Sequence, residues 1–113
     1  MECLFCKMIE GKIPHTKVYE NENVLGFVDI YPQAKKHYLF ISKRHTPNIN
    51  KMSGEDPQAL AEIFKGIQEF TQKEKLDEMG FRVVTNLGEH AGQTVFHTHF
   101  HVLAGEPLGS FGK

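Results

Sequence analysis

The chain has 113 residues, about one ordinary domain, and a chain of this length buries roughly two-thirds of its unfolded surface, which supports an independent core. Its apolar and charged fractions, 40% and 24%, exclude a disordered, collagen-like or membrane-embedded protein. With 13 basic and 14 acidic residues the formal charge is −1, so no general field favours nucleic acid or an anionic membrane, and any phosphate must be gripped locally.

Leu4, Phe5, Met8 and Ile9 stand at helical spacing before Gly11, which predicts a short helix over residues 1–9 ended by glycine. Lys17 to Glu20 and Val24 to Ile30, separated by Asn21-Glu22-Asn23, read as a β-hairpin closed by Tyr31-Pro32. His37 to Ser42 reads as a third strand, and three strands in a row favour an antiparallel meander. Asp56-Pro57 is a helix start, with aspartate as N-cap and proline as first helical residue. Leu60, Ile63, Phe64, Ile67 and Phe70 then mark one apolar face of a long helix running to about Met79 and stopped by Gly80. Phe81 to Asn86 reads as strand four, Gly88 to Gly92 as a loop, and Thr94 to Leu103 as strand five. No repeat, low-complexity tract or linker interrupts the chain, so residues 1–113 are expected to form one α+β domain: a five-stranded antiparallel sheet, one long helix and a short N-terminal one.

Seven histidines are many for this length, and three of them alternate in His97-Thr98-His99-Phe100-His101-Val102-Leu103. On a strand, alternate residues share a face, so His97, His99 and His101 would line one surface about 7 Å apart while Phe100 and Val102 point the other way. Packing does not select such a row, because imidazoles together cost desolvation or repulsion. A solvated strand face and a metal-binding triple are the rival readings, since neutral imidazole ligates zinc, copper and iron. Gly88, Gly92 and Gln93-Thr94 lead into the row and supply flexible backbone, an amide and a hydroxyl suited to an oxyanion.

With these flanks the chain resembles the histidine-triad family, whose pattern is three alternating histidines with apolar residues between and after them. The resemblance runs from Cys3-Leu4-Phe5-Cys6-Lys7-Met8-Ile9-Glu10-Gly11-Lys12-Ile13-Pro14 through Asp29-Ile30-Tyr31-Pro32-Gln33-Ala34 and Lys43-Arg44-His45 to Gly92-Gln93-Thr94-Val95 and the triad. It is closest to the nucleoside phosphoramidase branch. The resemblance implies that His99 attacks the α-phosphorus of a purine nucleotide such as an AMP phosphoramidate, forming a nucleotidyl-histidine that water then hydrolyses. It implies that His101 donates to phosphate oxygens, that His97 belongs to the catalytic set, that Gln93 and Thr94 hold the charge of the transition state, and that Gly92 contacts the nucleotide. Asn86 would contact the nucleotide, Asp29 would accept from the ribose hydroxyls, and Phe27 and Ile30 would line the base pocket; each of these four also has an ordinary role as a core, turn or strand-end residue. A homodimer through the long helix and its neighbouring strand follows by the same likeness, with no nucleic-acid or membrane partner and no cofactor needed for catalysis.

Cys3-x-x-Cys6 has the spacing of half a zinc site, which His45 and His97 would complete as a Cys₂His₂ set, an arrangement found in some branches of the family. A structural zinc, two small buried cysteines and a redox dithiol remain open. If zinc binds, His97 is a ligand. His90 is an exposed loop residue or an alternative ligand, and His15 and His37 read as surface residues near turns. Two cysteines are too few to staple a secreted scaffold, and no leader or spanning segment is evident, so a cytoplasmic setting is expected. Three departures stand out: Thr98 replaces an apolar residue, Ala104-Gly105 replaces a glycine pair, and no tryptophan lies near the end, so the tail Leu108 to Lys113 leaves the leaving-group preference open. A dinucleoside polyphosphate hydrolase, a nucleotide-binding regulator with little turnover and a metal-sensing module are the alternatives in activity.

Overall fold

The computed structural model describes residues 3–111. In chain order its elements are α1 (Leu4–Ile9), β1 (Lys17–Glu20), β2 (Val24–Val28), β3 (Lys36–Ser42), α2 (Ile49–Glu55), α3 (Pro57–Lys73), α4 (Leu76–Met79), β4 (Phe81–Val84), a 3-10 turn at Glu89–Ala91, and β5 (His99–Ala104). The five strands make one antiparallel sheet ordered β1-β2-β3-β5-β4, so the first three form the expected meander and the last strand inserts between β3 and β4. The predicted first two helical residues, Met1 and Glu2, lie outside the described part, as do Gly112 and Lys113. Among the described residues no helix is long and apolar enough to cross a membrane.

Both faces of the sheet are covered, and strand alternation sorts the side chains between them. Val24, Phe40, Phe100, Val102 and Ala104 point to the face that packs on Ile63, Ile67 and Phe70 of α3, Met52 of α2 and Leu76 of α4. Leu25, Phe27, Leu39 and Ile41 point the other way, against Cys3 and Phe5 of the N-terminal segment. His99 pairs with Ile41 and His101 with Leu39, so both rings emerge on this second face, under the short helix. Ala104, one of the departures from the family pattern, is a buried core residue on the first face.

Helix α3 starts as expected: the Asp56 side chain accepts from the Ala59 amide and Pro57 occupies the first turn. It ends at Lys73, short of the predicted Met79. A continuous helix would carry the apolar line of Phe70 to Lys73, Glu74 and Asp77; Lys75 instead adopts a left-handed conformation (φ 59°), and the reset turns Leu76 back into the core. Helix α2 was not anticipated, although Asn48 caps it and Met52 is fully buried. Strand β5 starts at His99 rather than Thr94, because the residues before it bond elsewhere. The Thr98 amide donates to the Thr46 carbonyl at 2.7 Å, and the two threonine hydroxyls meet at 2.7 Å. Likewise β4 stops at Val84, where Thr85 donates its hydroxyl to the His99 carbonyl. Strand β2 stops at Val28, where Asp29 accepts from the Tyr31 amide and turns the chain.

Two glycines test this packing. A Cβ on Gly26 would lie 2.8 Å from the Phe40 ring, whereas one on Gly54, in α2, meets nothing within 4 Å. Gly26→Ala is therefore expected to cost ~1–3 kcal/mol through overpacking, and Gly54→Ala to stabilise by ~0.5–1 kcal/mol through helix propensity. Urea unfolding midpoints check this; equal shifts for both would contradict the assigned core.

Candidate active site

The loop that precedes β5 separates the three histidines. His99 and His101 share one face with ring centroids 5.2 Å apart and both line a cavity of about 450 Å³. His97 does not line it. Expected beside His99 in the catalytic row, it lies before the strand begins, and its fully buried ring faces Cys3, Cys6 and His45. It reaches the site through its backbone: the His97 carbonyl lies 2.7 Å from His99 Nδ1 and accepts its hydrogen. The neutral His99 ring then has its lone pair on Nε2. Among the described residues every fully enclosed side-chain nitrogen or oxygen has a partner; Nε2 of His99 has no protein partner and so opens on the cavity. Burial lowers the pKa of His99, which keeps the ring neutral and the lone pair available.

His101 has the opposite tautomer, and a chain of bonds fixes it. The Gln33 amide donates to His37 Nδ1 at 2.9 Å, so the neutral His37 ring carries its hydrogen on Nε2. That hydrogen lies between His101 Nδ1, at 2.8 Å, and Asp29 Oδ2, at 3.3 Å. His101 Nδ1 thus accepts, and its own hydrogen sits on Nε2, which has no partner among the described residues and faces the cavity. Side by side the site presents a lone pair on His99 and an N–H donor on His101. Burial, with His99 and His37 adding to it, pushes the His101 pKa down to about 4, and burial also lowers that of His37. Asp29, His37 and His101 cluster closely enough to suggest a metal site, but His37 Nε2 bears a hydrogen in this network and does not fit as a ligand.

Among the predicted nucleotide contacts, Phe27, Asp29 and Ile30 line this cavity, Phe27 as a buried wall and Ile30 as an exposed rim residue. Thr94 is exposed at its mouth and also borders a second cavity of about 380 Å³ beside Cys3 and His45. Gln93 is elsewhere engaged: its Nε2 donates to the Pro47 and Val95 carbonyls and its Oε1 accepts from the Gly88 amide. It braces the loop and has no donor left for a phosphate. Gly92, in a left-handed conformation at φ 80°, and Asn86 border neither cavity. Leu108 to Phe111 line neither cavity, and Arg82 holds this tail through the Gly109 carbonyl and the Phe111 ring. Two residues read as surface histidines are corrected: His37 is buried, and half-buried His15 lines the cavity. Position 37 had a sequence signal, a histidine inside the apolar strand Tyr38-Leu39-Phe40-Ile41, whereas His15 had none.

The four remaining donors form a compact quartet. Cys3 Sγ and Cys6 Sγ lie 3.4 and 3.6 Å from His97 Nδ1, Cys6 Sγ lies 3.4 Å from His45 Nδ1, and the two Nδ1 atoms are 3.1 Å apart. A tetrahedral zinc with bonds of about 2.0–2.3 Å sets ligand atoms roughly 3.3–3.8 Å from one another; the three sulfur–nitrogen distances fall in that range and the nitrogen–nitrogen distance lies just below it, so a small outward shift of one imidazole fits the set to the metal. His97 also has a ligand's tautomer: its Nε2 donates to the Ser42 carbonyl at 2.9 Å, leaving Nδ1 unprotonated.

Residues 2–112 match the family model described as "Scavenger mRNA decapping enzyme C-term binding". The chain is 39% identical to the purine nucleoside phosphoramidase of Escherichia coli over 96% of its own length and 91% of that protein's. The chain belongs to the histidine-triad family. A histidine triad protein from Clostridium difficile superposes with a TM-score of 0.94 at 38% identity, covering 99% of this chain and 97% of the other. A HIT family hydrolase from Clostridium thermocellum gives 0.91 at 39% identity, covering 96% and 95%. This histidine-triad protein is accordingly a hydrolase, and its α+β sheet is that of its structural neighbours.

Burial of neutral imidazoles makes stability depend on pH. An unfolded chain protonates these rings near 6.5, whereas folded His101 does so only at about 4. Between those values the unfolded state binds more protons, so stability falls as pH falls. Thermal midpoints are expected to drop steadily from pH 6.5 toward 4, with a shallower drop in His101→Gln. A flat profile over that window would contradict a buried neutral His101.

Proposed function

We propose that the protein hydrolyses purine nucleoside 5′-phosphoramidates through a covalent nucleotidyl intermediate on His99. The observation that carries this reading is the pairing of opposite tautomers in one cavity, an Nε2 lone pair on His99 beside an Nε2–H on His101. His99 Nε2 attacks the α-phosphorus, the phosphorus–nitrogen bond to the amine breaks, and the departing nitrogen takes up a proton from solvent water and leaves as the amine. Positive charge develops on the His99 ring in this step, and the His97 carbonyl stabilises it through the Nδ1–H bond. His101 donates to a phosphoryl oxygen, and water then cleaves the His99 adduct to release the nucleoside monophosphate. The Asp29 carboxylate, on the cavity wall, accepts from the ribose hydroxyls, and Phe5 and Phe27 flank the base. The E. coli relative's name supports the substrate class.

Cys3, Cys6, His45 and His97 would hold a structural zinc. When bound, it would tie the N-terminal segment to the loop before β5 and fix the residue whose carbonyl orients His99. We further take the protein to be a homodimer through α3, where Phe64 is 44% exposed, and the open outer edge of β4.

Mixing the protein with adenosine phosphoramidate is expected to give a mass increase of one nucleotidyl group, absent in His99→Ala, whose turnover falls by at least about 10³-fold. Retained turnover in His99→Ala would reject the mechanism. Faster cleavage of diadenosine polyphosphate would move the substrate class, and AMP binding without any adduct would make the site regulatory. For the metal, X-ray absorption of protein purified under reducing conditions is expected to show a zinc with two sulfur and two nitrogen ligands. Its removal by chelation is expected to lower the thermal midpoint and kcat together. Full stability in metal-free protein would contradict a structural zinc.

A further inference from the structure

The nucleotide cavity has a polar group at its far end. Aromatic edges lead away from the nucleophile: the Phe5 ring lies 5.1 Å from that of His99, Phe27 lies 5.4 Å from Phe5, and His15 lies 5.9 Å from Phe27. Each contact is edge-to-face, so the rings along this wall are inclined to one another rather than stacked. The aliphatic side chains of Met8, Ile13 and Val28 also line the cavity. Aromatic and aliphatic walls hold a base by stacking and burial, and every base has a π-face, so these residues alone do not choose among purines. His15 is half-buried, and its Nδ1 lies 3.1 Å from the Ile13 carbonyl, to which it donates. The neutral ring therefore has a lone pair on Nε2, which has no partner among the described residues and is not enclosed.

We infer that His15 is the residue that reads the base, its Nε2 accepting a hydrogen from the exocyclic amine of a 6-aminopurine. This rests on the nucleotide reading of the cavity. His99 and His101 occupy the phosphate end and Asp29 offers its carboxylate for the ribose, so a nucleoside 5′-monophosphate directs its base along the Phe5–Phe27 wall toward His15. There an acceptor meets a donor when the purine carries a 6-amino group. A 6-oxo group sets a carbonyl lone pair against the imidazole lone pair, and hydrogen at C6 offers neither attraction nor repulsion. One neutral hydrogen bond contributes roughly 0.5–1.5 kcal/mol net, about twofold to tenfold in affinity.

The test is a set of dissociation constants for AMP, IMP and purine riboside 5′-monophosphate, measured by calorimetry at mildly alkaline pH, where free imidazole is uncharged. The wild-type protein is expected to bind AMP about twofold to tenfold more tightly than purine riboside monophosphate, with IMP weakest. His15→Phe, which keeps a flat ring and removes the acceptor, is expected to erase the difference by weakening AMP while leaving purine riboside monophosphate unchanged. Equal affinities of wild type for AMP and purine riboside monophosphate would overturn the inference without any variant. A His15→Phe protein that weakens all three alike would overturn it too, by reducing His15 to a wall. Failure of folded wild type to bind any of the three would instead overturn the nucleotide reading of the cavity, and this inference with it.

Discussion

The hydrogen bond from His99 Nδ1 to the His97 carbonyl decides what the rest of the site is able to do. At 2.7 Å it assigns the His99 hydrogen to the nitrogen facing the chain and leaves the lone pair on the nitrogen facing the cavity. The carbonyl is in place because the His97 side chain is anchored at both ring nitrogens, Nε2 on the Ser42 carbonyl and Nδ1 among Cys3, Cys6 and His45. The loop that carries it is pinned to the Thr46 turn through Thr98, with the Gln93 amide spanning Pro47 and Val95. A residue that lies outside the cavity thereby sets the protonation of the residue inside it.

The neighbouring imidazole is controlled from the opposite direction. The Gln33 amide, His37 and His101 form one relay of bonds that ends in an N–H aimed at the cavity, with Asp29 beside its middle member. Both relays depend on the rings staying neutral. A sheet covered on both faces provides for this, because burial lowers the pKa of His37, His99 and His101 alike. The core is thus part of the chemistry: Leu39 and Ile41, the partners of His101 and His99 across β3, exclude the water that would otherwise favour the charged forms.

Much of this was legible in the chain itself. Period-two alternation placed Phe100 and Val102 opposite His99 and His101, and the Asp56-Pro57 start and Gly80 stop framed the helical segment. The same periodicity misled at His97, since it extended the strand over residues whose main chain is engaged by Thr46; a side-chain and loop contract with a distant turn has no local signature. Gln93 was misread for a related reason. Its amide suits an oxyanion by composition, but whether those donors are free depends on carbonyls at Pro47 and Val95 brought close only by the fold. The contacts that place His37 and His15 have no local signature, because His37 is held by the turn at Gln33 and His15 by the Ile13 carbonyl and the Phe27 ring. The cysteine spacing, by contrast, singled out His45 and His97 as companions of Cys3 and Cys6, and the four donor atoms do converge.

The most direct test of the central claim is the tautomeric state of the histidines, read from long-range nitrogen–proton correlation spectra of the ¹⁵N-labelled protein at neutral pH. The account predicts a neutral His99 protonated on Nδ1 and a neutral His101 protonated on Nε2 in the same molecule. A His99 ring that is charged, or that carries its hydrogen on Nε2, would contradict it.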